Sequence, residues 1–331
     1  VTNNIPPPLL DVRNLSVRFD TPHGKVQAVN GVSWSISAGA TLGIIGESGS
    51  GKSVGLEAIM GLIQSPPGHV TGEVIFDGQN LLTMTQENRR ALRGEKISMV
   101  FQDAVSALNP SLTIGYQISE VYRSRKRCSK EDASRKAVEL MDRVRIPSAK
   151  TRLKQYPFEF SGGMCQRVMI ATALAMDPQI LIADEPTTAL DVTVQRQIMA
   201  LLADLQRDTG MALVLITHDL GVVAEVVEQA LVMYAGKVVE QADVNTLFDR
   251  PAHPYTRSLI GSMPRIDNRG MRLKAIAGSP PAAGRKLPGC SFHPRCPDQF
   301  EICASQQPEL SRVGTNHIAS CHLNVVATDE R

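Results

Sequence analysis

Eight consecutive residues, Gly46-Glu47-Ser48-Gly49-Ser50-Gly51-Lys52-Ser53, fit the pattern G-x-x-x-x-G-K-[ST]. Glycines let a backbone curl so that successive N–H groups point inward, and such a concave set of donors holds phosphate oxygens. The lysine of the pattern reaches the β- and γ-phosphates, and the hydroxyl after it binds Mg²⁺. At average glycine usage the pattern arises by chance on the order of 1% of the time in a chain this long. Its context sharpens the reading. Thr41 to Ile45 reads as a short buried strand running into the loop, and Leu56, Ile59, Met60 and Ile63 mark an apolar helix face after it. The positive N-terminal end of that helix would add to the pull on an anion. The expected ligands are ATP and Mg²⁺.

Such a loop needs a carboxylate for the metal and a group that activates water. Ile180-Leu-Ile-Ala-Asp184-Glu185 places both at the end of a continuous apolar run, the pattern of a strand buried on two faces. Asp184 is the expected partner of the Mg²⁺ shell, and Glu185 is placed to polarise the attacking water. Alone, two carboxylates after an apolar run mark only a strand-to-turn boundary; the phosphate loop gives them chemistry to do.

A second group of reactive side chains lies in the tail. Cys128 and Cys165 stand apart, whereas Cys290, Cys296, Cys303 and Cys321 follow one another at C-x5-C-x6-C-x17-C. In a chain read as cytosolic, clustered cysteines mark a metal site more often than a disulfide framework. Four thiolates at this spacing can hold a [4Fe-4S] cluster or a zinc ion, or stay free. The lack of paired C-x2-C knuckles tilts the expectation towards iron–sulfur, while His293, His317 and His322 keep zinc open as the alternative.

The elements that must carry these residues follow from patterning. Residues 9–36 alternate apolar and polar around a Thr-Pro-His-Gly turn at 21–24, which predicts antiparallel strands. A further strand pair is expected around Gly72 to Asp77 and Ile97 to Phe101. From about 112 to 176 the spacing turns helical. There Ser129 to Asp132 resembles a capping box, and Ala133, Ala137, Leu140, Met141 and Val144 share one face. Strands at Ile180 to Ala183, Ala212 to Ile216 and Leu231 to Tyr234, with a helix striped by Val194, Ile198, Leu201, Leu202 and Leu205, complete an α/β alternation. After Asp249 recurrent prolines break up long elements.

With these residues in view, the chain resembles the ABC ATPase family over about residues 9–260. Phe160-Ser161-Gly162-Gly163-Met164-Cys165-Gln166 looks like the family's signature loop, with Phe160 and Met164 in place of the usual leucine and glutamine. Gln102 matches the Q-loop, Thr188-Ala-Leu-Asp191 the D-loop, and Ile216-Thr-His218-Asp219 the histidine switch. Phe19 lies where the family has an aromatic that stacks on adenine. The resemblance implies that Ser161, Gly162, Gly163 and Met164 face the γ-phosphate held by another subunit. It also implies that His218 orients water, that Gln102 senses the metal, and that Asp191 communicates across the dimer. Cys165 reads as packing.

Further along, His253-Pro-Tyr-Thr256, Gly289-Cys290-Ser-Phe-His-Pro-Arg-Cys296-Pro and the later cysteines resemble the C-terminal extension of dipeptide and oligopeptide permease ATPases, which have nickel permeases as relatives. That resemblance, too, implies a cluster in the extension. The implied fold is an α/β P-loop NTPase core of the ABC type with an antiparallel β subdomain and a helical subdomain, plus a small cysteine-containing C-terminal domain. The expected boundaries are a flexible lead-in over 1–8, a nucleotide-binding domain over 9–250 with its helical subdomain at about 104–176, and the extension over 251–331.

The expected activity is ATP hydrolysis powering uptake of dipeptides or oligopeptides, with nickel or another small solute as the alternative cargo. Expected partners are a second ABC ATPase subunit (a homologue or a copy), two transmembrane permease subunits and an extracytoplasmic peptide-binding protein. The expected place is the cytoplasmic face of a bacterial membrane, held peripherally.

Composition narrows the field further. With 35 basic and 33 acidic residues there is no cationic surplus for nucleic acid. Aromatics at 4% leave little for a base-stacking platform. No stretch reaches the roughly 18 apolar residues of a membrane span. A non-transport ABC ATPase acting on DNA or ribosomes would carry inserted coiled coils, tandem motor domains or basic patches, and the sequence has none. A GTPase or kinase built on the same loop would lack the signature residues.

Overall fold

Alternation and continuous apolar runs become two kinds of sheet in the computed structural model, which describes residues 7–188, 190–263, 276–282 and 287–324. Most of the expected lead-in, residues 1–6, lies outside the described residues. The strands are β1 (Leu10–Thr21), β2 (Gly24–Ile36), β3 (Thr41–Ile45), β4 (Gly68–Phe76), β5 (Gln79–Asn80) and β6 (Ile97–Val100). They continue as β7 (Ile180–Asp184), β8 (Ala212–Thr217), β9 (Gln229–Tyr234), β10 (Lys237–Asp243), β11 (Ser311–Gly314) and β12 (His317–Ala319). The chain forms two compact units, one of residues up to 37 with 41–84 and 217 onward, the other of 38–40 with 85–216.

In the first unit, β1 and β2 pair antiparallel from Leu10 with Ile36 to Thr21 with Gly24, and β4 lies on the other side of β1. Leu10, Val12, Leu15 and Val17 of β1 are buried with Val29, Val32, Trp34 and Ile36 of β2, so alternation, shifted by one residue at an irregularity between Val12 and Leu15, supplies one buried face. The predicted turn closes with Thr21 Oγ1 donating to the Gly24 carbonyl at 2.7 Å. The same unit holds strands in the order β11-β12-β10-β9-β3. Of these, β3 and β9 run parallel, and the remaining pairs are antiparallel.

The tail therefore contributes strands that its prolines concealed. Its anchor is a buried hydrogen bond between His317 Nε2 and Glu240 Oε1 at 2.8 Å. The Glu240 carboxylate, fully buried, also accepts from the backbone N–H of Ala252 at 2.6 Å and of His253 at 2.9 Å. These partners satisfy a polar group whose burial would otherwise be costly. Described tail residues thus pack within the unit that carries β1 to β5, and the separate small C-terminal domain expected from the sequence is not confirmed.

In the second unit, β6, β7 and β8 are parallel, Ile97 aligning with Ile180 and Ile180 with Ala212. Ile180, Leu181 and Ile182 are completely buried, each contributing roughly 1.5–3 kcal/mol of burial. The anticipated strand pair of 72–77 and 97–101 does not form. β4 is paired in the antiparallel sheet, while β6, buried along its whole length, joins β7. Ser129 caps the helix Lys130–Arg143 by accepting from Asp132 N–H at 3.1 Å, and Ala133, Ala137, Leu140 and Met141 form its buried face. The helix Gly162–Leu174 is buried over most of its circumference, and Val192–Thr209 buries Ile198, Leu201, Leu202 and Leu205. Among the described residues no helix is long and apolar enough to cross a membrane.

Candidate functional site

The fully buried strand β3 ends at Ile45 and the helix Lys52–Ile59 begins seven residues later, so the loop between them must turn sharply. Gly46 and Gly51 have φ of 157° and 97°, a region that favours glycine. A Cβ at Gly46 would strike the Met233 carbonyl oxygen of β9, and one at Gly51 the Ala28 carbonyl oxygen of β2. The two ends of the loop are thus pressed against backbone, and no other residue type fits there. Lys52 is 6% exposed and its ammonium lies inside the loop, donating to the carbonyls of Gly46 at 2.7 Å and Glu47 at 3.0 Å and lying 3.5 Å from Ser50 Oγ. A buried lysine ringed by loop oxygens, at the start of a helix, is a cradle suited to an anion.

Sequence reasoning missed what holds Glu47. Its N–H donates to Tyr255 Oη at 2.9 Å, and its carboxylate receives Arg295 Nη1 at 2.7 Å and Nη2 at 3.0 Å. Arg295 pairing holds the guanidinium pKa above its ordinary value. Nothing in the spacing of residues more than 200 positions apart signals these contacts. Of the remaining expected residues in this unit, Phe19 is half-buried on β1 opposite Val26 and Gly68. His218 is exposed, directly after β8 and before Asp219, which caps the helix Leu220–Val226.

In the second unit, β7 delivers Asp184, 6% exposed, and then Glu185. Glu185 has φ of 44°, a left-handed conformation that costs a residue with a side chain of order 1–3 kcal/mol and clusters at functional sites. Its N–H donates to the Ile216 carbonyl at 2.9 Å, which fixes it to the end of β8. Its Oε2 accepts from Gln102 Nε2 at 3.1 Å and from Thr188 Oγ1 at 2.9 Å. The structure therefore brings the Q-loop glutamine onto the carboxylate expected to polarise water.

Ser161 caps the helix Gly162–Leu174, its Oγ accepting from Met164 N–H at 3.4 Å. Ser161 and Gly162 are exposed, while a Cβ at Gly163 would come 2.5 Å from Val194 Cγ1. Gly163 is thus required by packing against the helix that Asp191 caps by accepting from Thr193 and Val194 N–H, each at 3.0 Å. Signature and D-loop residues are neighbours; Ala189 between Thr188 and Leu190 lies outside the described residues. Cys165 is buried with its thiol donating to the Pro157 carbonyl at 3.5 Å, a packing role.

The metal expectation for the tail is overturned. Cys290, Cys296, Cys303 and Cys321 do line one pocket, together with His293 and His322 and with Phe292, Phe300 and prolines among its walls. Among the described residues no group of three or more His, Cys, Asp or Glu side chains is placed to hold a metal ion. Neither the [4Fe-4S] cluster nor zinc is supported. The four thiols and their neighbours thus share a pocket without forming a ligand set of that kind. Burial pushes the Cys290 thiol up, and those of Cys296 and Cys321 up to about 11.

With the geometry in place, likeness to known proteins decides the family. Residues 29–188 match the family described as ABC transporter, and residues 239–303 the one described as oligopeptide/dipeptide transporter, C-terminal region. The oligopeptide transport ATP-binding protein OppD of Salmonella typhimurium is 47% identical over 95% of this chain and 93% of its own length. This chain belongs to the ABC transporter family. The dipeptide transport ATP-binding protein DppD of Bacillus subtilis is 46% identical over 95% of the chain and 94% of its own length, which places the ABC chain in the oligopeptide/dipeptide branch. Among solved structures, the dimeric ATP-binding cassette MJ0796 in a post-hydrolysis state with ADP and Pi matches with a TM-score of 0.64 at 30% identity. That match covers 71% of this ABC chain and 98% of the cassette. The cbiO1 component of the cbiONQ transporter from Clostridium perfringens matches at 0.62 and 27% identity, covering 73% and 91%. The fold is that of an ABC ATPase.

Proposed function

We propose that this chain is the ATP-hydrolysing subunit of an ABC importer of dipeptides or oligopeptides. The reading is carried by one joint observation: a built phosphate loop in a chain that is 46–47% identical, over 95% of its length, to oligopeptide and dipeptide transport ATP-binding proteins. Gly46 to Ser53 bind the phosphates, with Lys52 supplying the charge, and Phe19 stacks on the adenine. Ser53 and Asp184 would hold Mg²⁺, which supplies charge neutralisation on the phosphate oxygens. Glu185 polarises the attacking water, with Gln102 and Thr188 orienting its carboxylate and His218 donating to the γ-phosphate. Ser161, Gly162, Gly163, Met164 and Asp191 act on nucleotide held by a second ATPase subunit, a homologue or a copy.

The chain then works at the cytoplasmic face with two transmembrane permease subunits, and the complex receives peptide from an extracytoplasmic binding protein. The segment from 251 onward serves as the peptide-importer extension. The test is to isolate the tagged chain from its native membrane, identify the proteins that accompany it, and measure ATPase in the reconstituted complex. Stimulation by dipeptides or oligopeptides with their binding protein supports the reading. Stimulation by nickel alone, or a complex without membrane subunits, would replace it.

A further inference from the structure

Glu47 of the phosphate loop is held by the tail. Its carbonyl accepts from Lys52 Nζ at 3.0 Å, its N–H donates to Tyr255 Oη at 2.9 Å, and its carboxylate takes both Arg295 Nη atoms, at 2.7 and 3.0 Å. Arg295 is itself caged. Its side chain is 5% exposed, its Nε donates to the Ala277 carbonyl at 2.9 Å, and its Nη1 lies 3.3 Å from Tyr234 Oη. The guanidinium stands 5.8 Å from the centre of the Tyr234 ring and 6.0 Å from that of Phe292. Tyr234, Tyr255 and Phe292 contact one another with ring centres 4.6 to 5.3 Å apart. Three mutually packed rings in a chain of 4% aromatics are a considerable investment around one cation.

A carboxylate beside a triphosphate repels it unless its charge is neutralised, and a bidentate guanidinium does so with fixed geometry. We propose that Arg295 is a positioning residue for nucleotide binding: it neutralises Glu47 and fixes the first turn of the phosphate loop, acting through Glu47. This inference rests on the reading that residues 46–53 bind Mg-ATP. It makes the tail a part of the nucleotide site's support, so that whatever occupies or disturbs the segment from Cys290 to Cys296 is felt at the phosphate loop. A bland alternative is a staple that merely fastens the tail. The two differ in what happens when the carboxylate's charge is removed as well.

The experiment measures Mg-ATP binding to the full chain by calorimetry, and KM and kcat in the assembled importer. Arg295→Met is expected to weaken Mg-ATP binding about tenfold, equivalent to about 1.4 kcal/mol, with the loss falling mainly in KM. Arg295→Lys, which keeps a charge but loses the fork, is expected to lose about threefold. Adding Glu47→Gln to Arg295→Met restores most of the affinity, because no unpaired charge remains; a staple would be loosened further and show no rescue. Wild-type affinity in a cooperatively melting Arg295→Met chain, or a double variant as weak as the single one, overturns the proposal. Should Arg295→Met fail to fold, Arg295→Lys and the double variant decide, and wild-type affinity in Arg295→Lys then counts against it. Wild-type protein that binds no Mg-ATP would instead overturn the nucleotide reading itself.

Discussion

Replacing Glu185 by glutamine separates water activation from everything else this residue does. Two donors, Gln102 Nε2 at 3.1 Å and Thr188 Oγ1 at 2.9 Å, meet the same oxygen, Oε2. An amide oxygen in that place accepts both, and the backbone bond from Glu185 N–H to Ile216 persists. Glutamine pays the same conformational cost at φ 44°, so stability should fall by no more than about 1 kcal/mol, from weaker hydrogen bonds. The chemical loss is larger. A positioned general base contributes typically about 10²- to 10⁴-fold. At about 1.4 kcal/mol per decade this is roughly 2.7–5.4 kcal/mol on the barrier. Phosphate release by the Glu185→Gln importer should therefore fall at least about 100-fold. ATP binding is retained, and the ATP-held assembly accumulates in light scattering. Glu185→Ala should in addition release Gln102 and Thr188. Turnover by Glu185→Gln within about threefold of wild type would refute the assignment, because no general base removed could cost so little.

The remaining expectations concern stability. Gly163→Ala puts a Cβ 2.5 Å from Val194 Cγ1, so the signature helix must shift; a melting temperature lowered by an amount equivalent to about 1–3 kcal/mol is expected, measured by calorimetry. Stability should also decline at both ends of the pH scale. Burial lowers His253 from 6.5 to about 3, so the folded state resists protonating it and loses stability as pH falls below 6.5. Burial raises Cys296 and Cys321 from 9.0 to about 11, so their contribution is intact below pH 9 and is lost as pH rises towards 11. A melting profile flat from pH 4 to 11 would contradict these shifts. Between those limits, iodoacetamide should alkylate these two cysteines far more slowly in folded than in unfolded protein, because the thiolate is the nucleophile.

Much of the site is local, and local features are legible in sequence. The phosphate loop occupies consecutive residues, its flanking strand and helix are marked by apolar runs, and Asp184 and Glu185 sit where a buried strand must end. Order along the chain carries the resemblance of Gln102, Ser161 to Met164 and Asp191 to a family's motifs, and the family is the one the relatives show. The choice of partner for a side chain is another matter, because it depends on packing between segments far apart. Gln102 meets Glu185 across 83 residues, and Glu47 meets Arg295 across 248. Neither residue type nor spacing specifies such a meeting; the pairing of β6 with β7 brings the first about, and the path of β10, β12 and the tail the second. The tail itself was misread for a related reason. Cysteine spacing reports which sulfurs are near in sequence, whereas whether side chains converge as a ligand set depends on how the tail packs, and among the described residues none do. Sequence alone determined that this chain has the parts of an ABC ATPase. Tertiary structure alone decided that its tail grips the phosphate loop, because burial and ion pairing belong to the packed chain.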